Sequence, residues 1–267
     1  MDTGAKFRLD HLPVGSVEVA DPKVLLELAP QVFARLHGEQ PGSIGRQEFY
    51  RQLAAGAASR EGGPDAKVKA ALHYAPDGSV DGYVSYRFGG WDKTPATMEI
   101  VDLVTATPAA YLELWQYLAA IDLVERITWN EAPVDNPLTW ALNDPRCVAA
   151  ANPRDLLWLR ILDVGQALEA RAFAADGTLV LRVGDGLGLT AGTFSVDVRD
   201  GAARVSASDA APDLELDIAA LSSIYLGAVN PVSLAAAGRV HEHTEGAAFL
   251  AARLFAVERP AHCLTHF

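Results

Sequence analysis

Few residues in this chain have the types and spacings that chemistry demands. His241-Glu242-His243 sets two imidazoles two residues apart. On a strand such a pair shares a face, but a metal site needs three or four ligands, and only Glu245 stands nearby. The segment therefore reads as a solvated turn before the last helix. Gly184-Asp185-Gly186-Leu187-Gly188 imitates a nucleotide-binding glycine cluster. That use requires a helix N-terminus directly after it, to aim N–H groups at phosphate. The strand pattern of residues 193–198 comes next, so the cluster reads as a hairpin loop. Asp135 and Asp144 flank a proline-rich connection and suit caps and turns better than paired acid–base work. There is no G-x-S-x-G elbow, Cys–His signature, Walker loop or HExxH motif. Cys147 and Cys263 lie far apart without metal-site spacing, and His11, His37 and His73 carry no pattern. The chain thus lacks a complete active site of its own by these signals.

Composition bounds the rest. The 267 residues are 50% apolar and 21% charged, a globular profile long enough for two ordinary domains. No apolar run approaches the ~18 residues that span a bilayer, and the first residues lack the apolar core of a signal peptide. These features predict a cytoplasmic protein without a membrane partner. The formal net charge of −12 argues against nucleic acid, whose phosphates require a surplus of Lys and Arg. An acidic chain instead attracts cations, amines among them.

The elements that must position any site follow from periodicity. Residues 16–20 suit a short strand. Asp21-Pro22 opens a helix as N-cap and first-turn proline, with Val24, Leu28, Val32 and Leu36 recurring every four residues beside Leu25, Ala29 and Phe33. A second helix is predicted over 46–55, then strands over 67–74, 82–88 and 98–104. Thr107-Pro108 caps a helix whose Tyr111, Leu114, Trp115, Leu118 and Ile121 share a face, and a strand over 126–130 follows. Prolines at 133, 137, 145 and 153 punctuate a long connection with a short helix over 138–142. Beyond it the pattern predicts a strand over 156–162 and a helix over 164–171. Short strands follow over 178–183, 193–198, 203–207 and 214–218, with Asp176-Gly177 and Asp200-Gly201 as hairpin turns. Helices over 219–226, 231–237 and 246–255 close the chain. Strands followed by helices indicate a separate α+β domain, with the boundary near 152–155.

A strand, two helices, three strands, a long helix and a further strand form the outline of a GNAT acyltransferase domain. LHGEQPGSIGR (36–46), DGYVSYR (81–87), TPAAYLELWQYL (107–118), DLLWLRILDVGQALEAR (155–171), SIYLGAVNPVSLAAAG (223–238) and the ending RPAHCLTHF (259–267) sharpen it. With these segments the chain resembles the Eis-type (enhanced intracellular survival) acetyltransferases over nearly its whole length after about residue 16. The fold class this implies is α/β and α+β: a GNAT-like mixed sheet with flanking helices, then a sterol-carrier-protein-like α+β domain. The family combines a catalytic GNAT domain, a second GNAT-like domain and a sterol-carrier-like domain. The resemblance assigns 16–152 to the second and 153–267 to the third. Residues 1–15, with a stray strand pattern over 5–9, suit the tail of an upstream domain that the chain lacks.

The residues support that assignment. A working GNAT site places R/Q-x-x-G-x-G/A after its central strand, so that backbone N–H groups at a helix start meet the cofactor pyrophosphate. Strand 98–104 is followed instead by Thr105-Ala106-Thr107-Pro108-Ala109-Ala110, without glycine and with Pro108 removing a donor. No cofactor site is expected in this chain, and acetyl-CoA is expected only for the complete protein. The resemblance further implies amine acceptors, aminoglycoside-like or lysine, and a homo-oligomer as the assembly. It makes the terminal carboxylate of Phe267 the general base, puts His266 beside the substrate, and places Phe49 and Tyr50 where an aromatic ring lines the amine pocket. An α-carboxyl with a pKa of about 3.5 is a weak base for an alkylammonium, so cation binding and a water relay are the roles open to it. An alternative reading is a non-catalytic lipid-binding module, with Leu221, Ile224, Tyr225, Leu234, Phe249 and Leu250 lining a tunnel.

Overall fold

The computed structural model describes residues 1–8, 14–92, 94–155 and 157–266. It divides into two compact units, Met1–Arg154 and Asp155–His266. Each is built on a mixed five-stranded sheet with helices, as the fold class predicted.

In the first unit the strands stand in chain order: β1 (Ser16–Ala20), β2 (Lys69–Tyr74), β3 (Val80–Phe88), β4 (Thr97–Thr105) and β5 (Arg126–Thr128). The first four pair antiparallel, and β5 joins β4 in parallel. Asp21 accepts a hydrogen bond from Lys23 N–H and Pro22 fixes the next φ, so a 3-10 turn leads into α1 (Leu25–Glu39). The buried side of α1 is Leu25, Ala29, Val32 and Phe33, while Val24 is exposed, so the apolar stripe is turned by about one residue from the expected one. After α2 (Glu48–Ala54) and the meander, α3 (Pro108–Ala119) is the crossover that parallel strands require. It buries Leu114, Trp115 and Leu118 against Val84, Ile100 and Leu103. The short α4 (Leu138–Ala141) buries Leu138. The stray strand expected over 5–9 is not one: Asp2 and Phe7 make isolated bridges to Arg126 and Leu142, and Leu9 lies outside the described residues. Met1 N donates to Ile127 O at 2.8 Å, so residues 1–8 clip onto this unit beside β5.

The second unit runs α5 (Val164–Ala170), β6 (Gly177–Gly184), β7 (Gly192–Arg199), β8 (Ala202–Ala207), β9 (Leu214–Asp217), α6 (Ile218–Tyr225), α7 (Pro231–Ala236), β10 (Val240–Glu242) and α8 (Ala247–Leu254). The sheet order is β10-β9-β6-β7-β8, parallel only between β6 and β9. Its core includes Leu168, Val198, Leu221 and Leu254. Three expectations are corrected. Residues 157–162 form no strand: Ile161 N donates to the Ser222 hydroxyl at 3.1 Å, Ile161 alone of the apolar residues 157–162 is buried, and Trp158 and Leu162 are exposed. Leu156, the first residue of that expected strand, lies outside the described residues. Asp176-Gly177 is no hairpin turn, because Gly177 opens β6 beneath α8, where a Cβ would stand 2.9 Å from Leu250 Cδ1. Residues 240–242 are a strand rather than a turn, paired antiparallel with β9. Asp200-Gly201 does join β7 to β8, with φ of 52° and 77°, the twist a two-residue hairpin wants. No helix among the described residues is long and apolar enough to cross a membrane.

Candidate functional site

The first unit's candidate site is the turn from β4 into α3. β5 pairs only with Thr97, Met98 and Glu99 of β4, leaving the rest of β4 to run on without it to the helix start. Thr107 is extended (φ −133°, ψ 151°), and its hydroxyl oxygen accepts from Ala110 N–H at 3.1 Å. The same hydroxyl donates to Asp81 Oδ2 at 2.6 Å, and Ala106 N–H donates to Asp81 O at 2.7 Å. Asp81 Oδ1 lies 2.5 Å from His73 Nδ1, and His73 Nε2 lies 3.2 Å from Glu113 Oε2. Glu113 Oε1 in turn accepts from Val14 N–H at 2.7 Å. Asp81, His73 and Glu113 are 2%, 1% and 5% exposed.

The packing against this chain of groups is tight at two glycines. A Cβ at Gly82 would meet Ala110 Cβ at 2.7 Å, so only glycine lets β3 pass the first turn of α3. A Cβ at Gly15 would stand 2.7 Å from His73 Cε1. An anionic cofactor needs free N–H groups and positive potential at a helix start. This one presents a proline, a hydroxyl already in use and a buried carboxylate. The residues at the start of α3 do not fit the pyrophosphate of acetyl-CoA.

The aromatic residues expected at an amine pocket stand together on α2. Phe49 is 38% exposed and Tyr50 is 7% exposed, with ring centroids 6.4 Å apart. The Arg46 guanidinium carbon lies 4.7 Å from the centre of the Tyr50 ring and 4.6 Å from that of Phe33. Arg46 also grips Asp102 with both terminal nitrogens, at 2.8 and 2.9 Å, and Tyr83 donates to the same carboxylate at 2.6 Å. Burial works against the charge of Arg46, but Asp102 and Tyr83 more than offset it and hold its pKa above the ordinary value. Burial first, then the Asp102 charge, pushes the Tyr83 hydroxyl up. The cation on the Tyr50 ring is thus internal, and the more open ring of the pair is Phe49. His266 is half-buried and belongs to the second unit, and Phe267 lies outside the described residues.

The remaining motifs are structural. Asp185 accepts from the N–H groups of Leu187, Leu189 and Thr190 and from Arg160 at 2.8 Å. The glycine-rich loop thus folds around its own carboxylate, between β6 and β7. Glu242 accepts from Gly246 N–H and Ala248 N–H at the start of α8, and His243 Nε2 lies 3.2 Å from Glu215 Oε2. Among the described residues no group of three His, Cys, Asp or Glu could hold a metal ion. Asp144 caps Arg146 N–H. Sequence reasoning passed over His73, Asp81 and Glu113. The available signal was a lone histidine inside the apolar run of β2 and a glutamate on the apolar side of α3.

Comparison with known proteins places these features. The acetyltransferase (GNAT) domain family matches residues 42–161, and the sterol carrier protein domain family matches 164–264. N-acetyltransferase Eis of Mycobacterium tuberculosis is 37% identical over 213 residues, which cover 78% of this chain and 49% of that one. The crystal structure of Eis1 from Mycobacterium abscessus superposes with a TM-score of 0.78 at 31% identity, covering 98% of this chain and 65% of that one. The chain belongs to the Eis-type N-acetyltransferase family. An uncharacterized N-acetyltransferase of Streptomyces griseus is 35% identical over 254 residues, 93% of this chain and 61% of its own length. The chain therefore spans about half to three-fifths of the curated Eis-type relatives it matches. A GCN5-related N-acetyltransferase from Anabaena variabilis, at 22% identity and a TM-score of 0.76, shares the fold.

Proposed function

We propose that this chain serves as the C-terminal portion of an acetyl-CoA-dependent N-acetyltransferase acting on amines, aminoglycoside-like or lysine. In this reading it supplies scaffold, pocket wall and the carboxylate of Phe267, while acetyl-CoA is held by a catalytic GNAT domain outside the chain. The observation that carries the reading is the closed start of α3 in a chain of this family. A GNAT-like unit that cannot receive pyrophosphate has the scaffold of the fold without its cofactor site. The net charge of −12 suits a cationic acceptor, and Phe49 is the aromatic residue open to meet it. His266 stands next to the terminal residue and contacts the acceptor, and the assembly is a homo-oligomer. The carboxylate holds the ammonium and passes its proton to water, because its own basicity is low.

The test joins this chain to the upstream catalytic domain of an Eis-type relative and removes Phe267. The expected result is a loss of roughly 100-fold in kcat/KM for amine acetylation, the scale of a lost positioning and proton-relay group, with the fold intact by circular dichroism. Undiminished acetylation would overturn the role of Phe267. The chain without that domain is expected to show no acetyl-CoA binding by calorimetry. The lipid-carrier reading has the sterol-carrier match behind it. It is disfavoured by Leu221 and Ile224, which are packed in the core, and by Phe249, which is exposed.

A further inference from the structure

We infer that Asp81 is a resident anion: its side chain takes the place at the start of α3 that an anionic ligand takes in an open site of this fold. The inference rests on the reading that this turn receives no cofactor, and it says what the turn holds instead. A helix start favours negative charge within its first turn. Here that charge is delivered by a carboxylate on β3 through one hydroxyl, from Asp81 Oδ2 by way of Thr107 Oγ1 to Ala110 N–H. The place beside the anion that a phosphate site gives to Lys or Arg is held by the His73 ring, set against Asp81 Oδ1 and close to Glu113 on α3 itself. All three side chains are at least 95% buried, so each depends on the others for the interactions that water would supply. Gly15 and Gly82 close the packing on either side. The arrangement ties β2, β3 and α3 together and leaves an incoming anion no place.

Chemical rescue tests this. Asp81→Ala removes a group that formate matches in charge and size, and leaves His73 and the Thr107 hydroxyl facing the gap. The melting temperature is expected to fall by roughly 10 °C, as for a broken buried pair. Sodium formate should restore most of the loss, while sodium chloride at equal ionic strength should not. Neither the wild-type chain nor Asp77→Ala, which removes an exposed turn carboxylate, should respond to formate beyond chloride. Asp81→Asn keeps the shape without the charge, so it should melt below wild type and be insensitive to formate. An Asp81→Ala chain that formate restores no better than chloride, or an Asp81→Asn chain that melts at the wild-type temperature, overturns the inference. The readout is stability, so it stands or falls separately from acetyl transfer.

Discussion

At the scale of single residues, buried charges in this protein survive by finding partners far along the chain. Arg46 and Asp102 form a two-pronged pair with side chains 9% and 7% exposed, roofed by Phe33 and Tyr50. Removing one partner strands the other in a medium that solvates it poorly. Asp102→Ala is expected to cost about 3–5 kcal/mol in urea denaturation, and a double variant that also replaces Arg46 with Met should recover part of it. Asp185 gives a pH-dependent case. The Leu187 N–H first, then Arg160, hold its carboxyl well below the usual carboxylate range. A depressed folded-state pKa means stabilisation that is fully present above the unfolded value of about 3.9 and is lost as pH falls through the folded one. The gap in melting temperature between wild type and Asp185→Asn should therefore be widest near neutral pH and narrow below about pH 4.

At the scale of elements, the contact that shapes the candidate site is the passage of β3 against the first turn of α3. It exists because residue 82 has no side chain. Gly82→Ala would bring a methyl group to 2.7 Å from Ala110 Cβ and 3.2 Å from Leu114 Cδ1. Overpacking of this kind is expected to cost about 1–3 kcal/mol by thermal or chemical denaturation. Adding Ala110→Gly should return part of the loss, beyond the cost of glycine in a helix, whereas an additive result would mean that the two elements do not press on each other. Much of the element layout was legible beforehand. Asp21-Pro22, Thr107-Pro108 and Asp200-Gly201 carry their instructions within a few residues, and each stands where its local chemistry put it. Residues 157–162 were misread for the complementary reason. An apolar run states that it could pair, and pairing depends on whether a neighbouring strand leaves an edge beside it.

At the scale of the whole molecule, each unit carries its own apolar core around its own sheet. Leu168→Ala opens a cavity in the second core, with an expected cost of about 2–5 kcal/mol. Hydrogen exchange should register the loss in β6, β7 and α6 while protection of β3 and β4 in the first unit stays as in wild type. Equal loss in both would show a single cooperative body.

The sequence by itself determined the class of fold, the family and the missing glycines after β4, because caps, turns, periodicity and motif chemistry are encoded by near neighbours. It also marked Asp185 and Thr107 as loop and cap residues. Only the tertiary structure decided what fills the turn. His73, Asp81 and Glu113 come from β2, β3 and α3, and nothing in their spacing announces a shared site. Strand register sets His73 opposite Gly82, and the glycine contact draws the first turn of α3 over them. Tyr50 likewise read as a ring that could face a cation, and packing decided that the cation is Arg46. A buried polar group takes its partner from whatever the folded backbone brings within reach, and that choice is made by register and packing across distant segments.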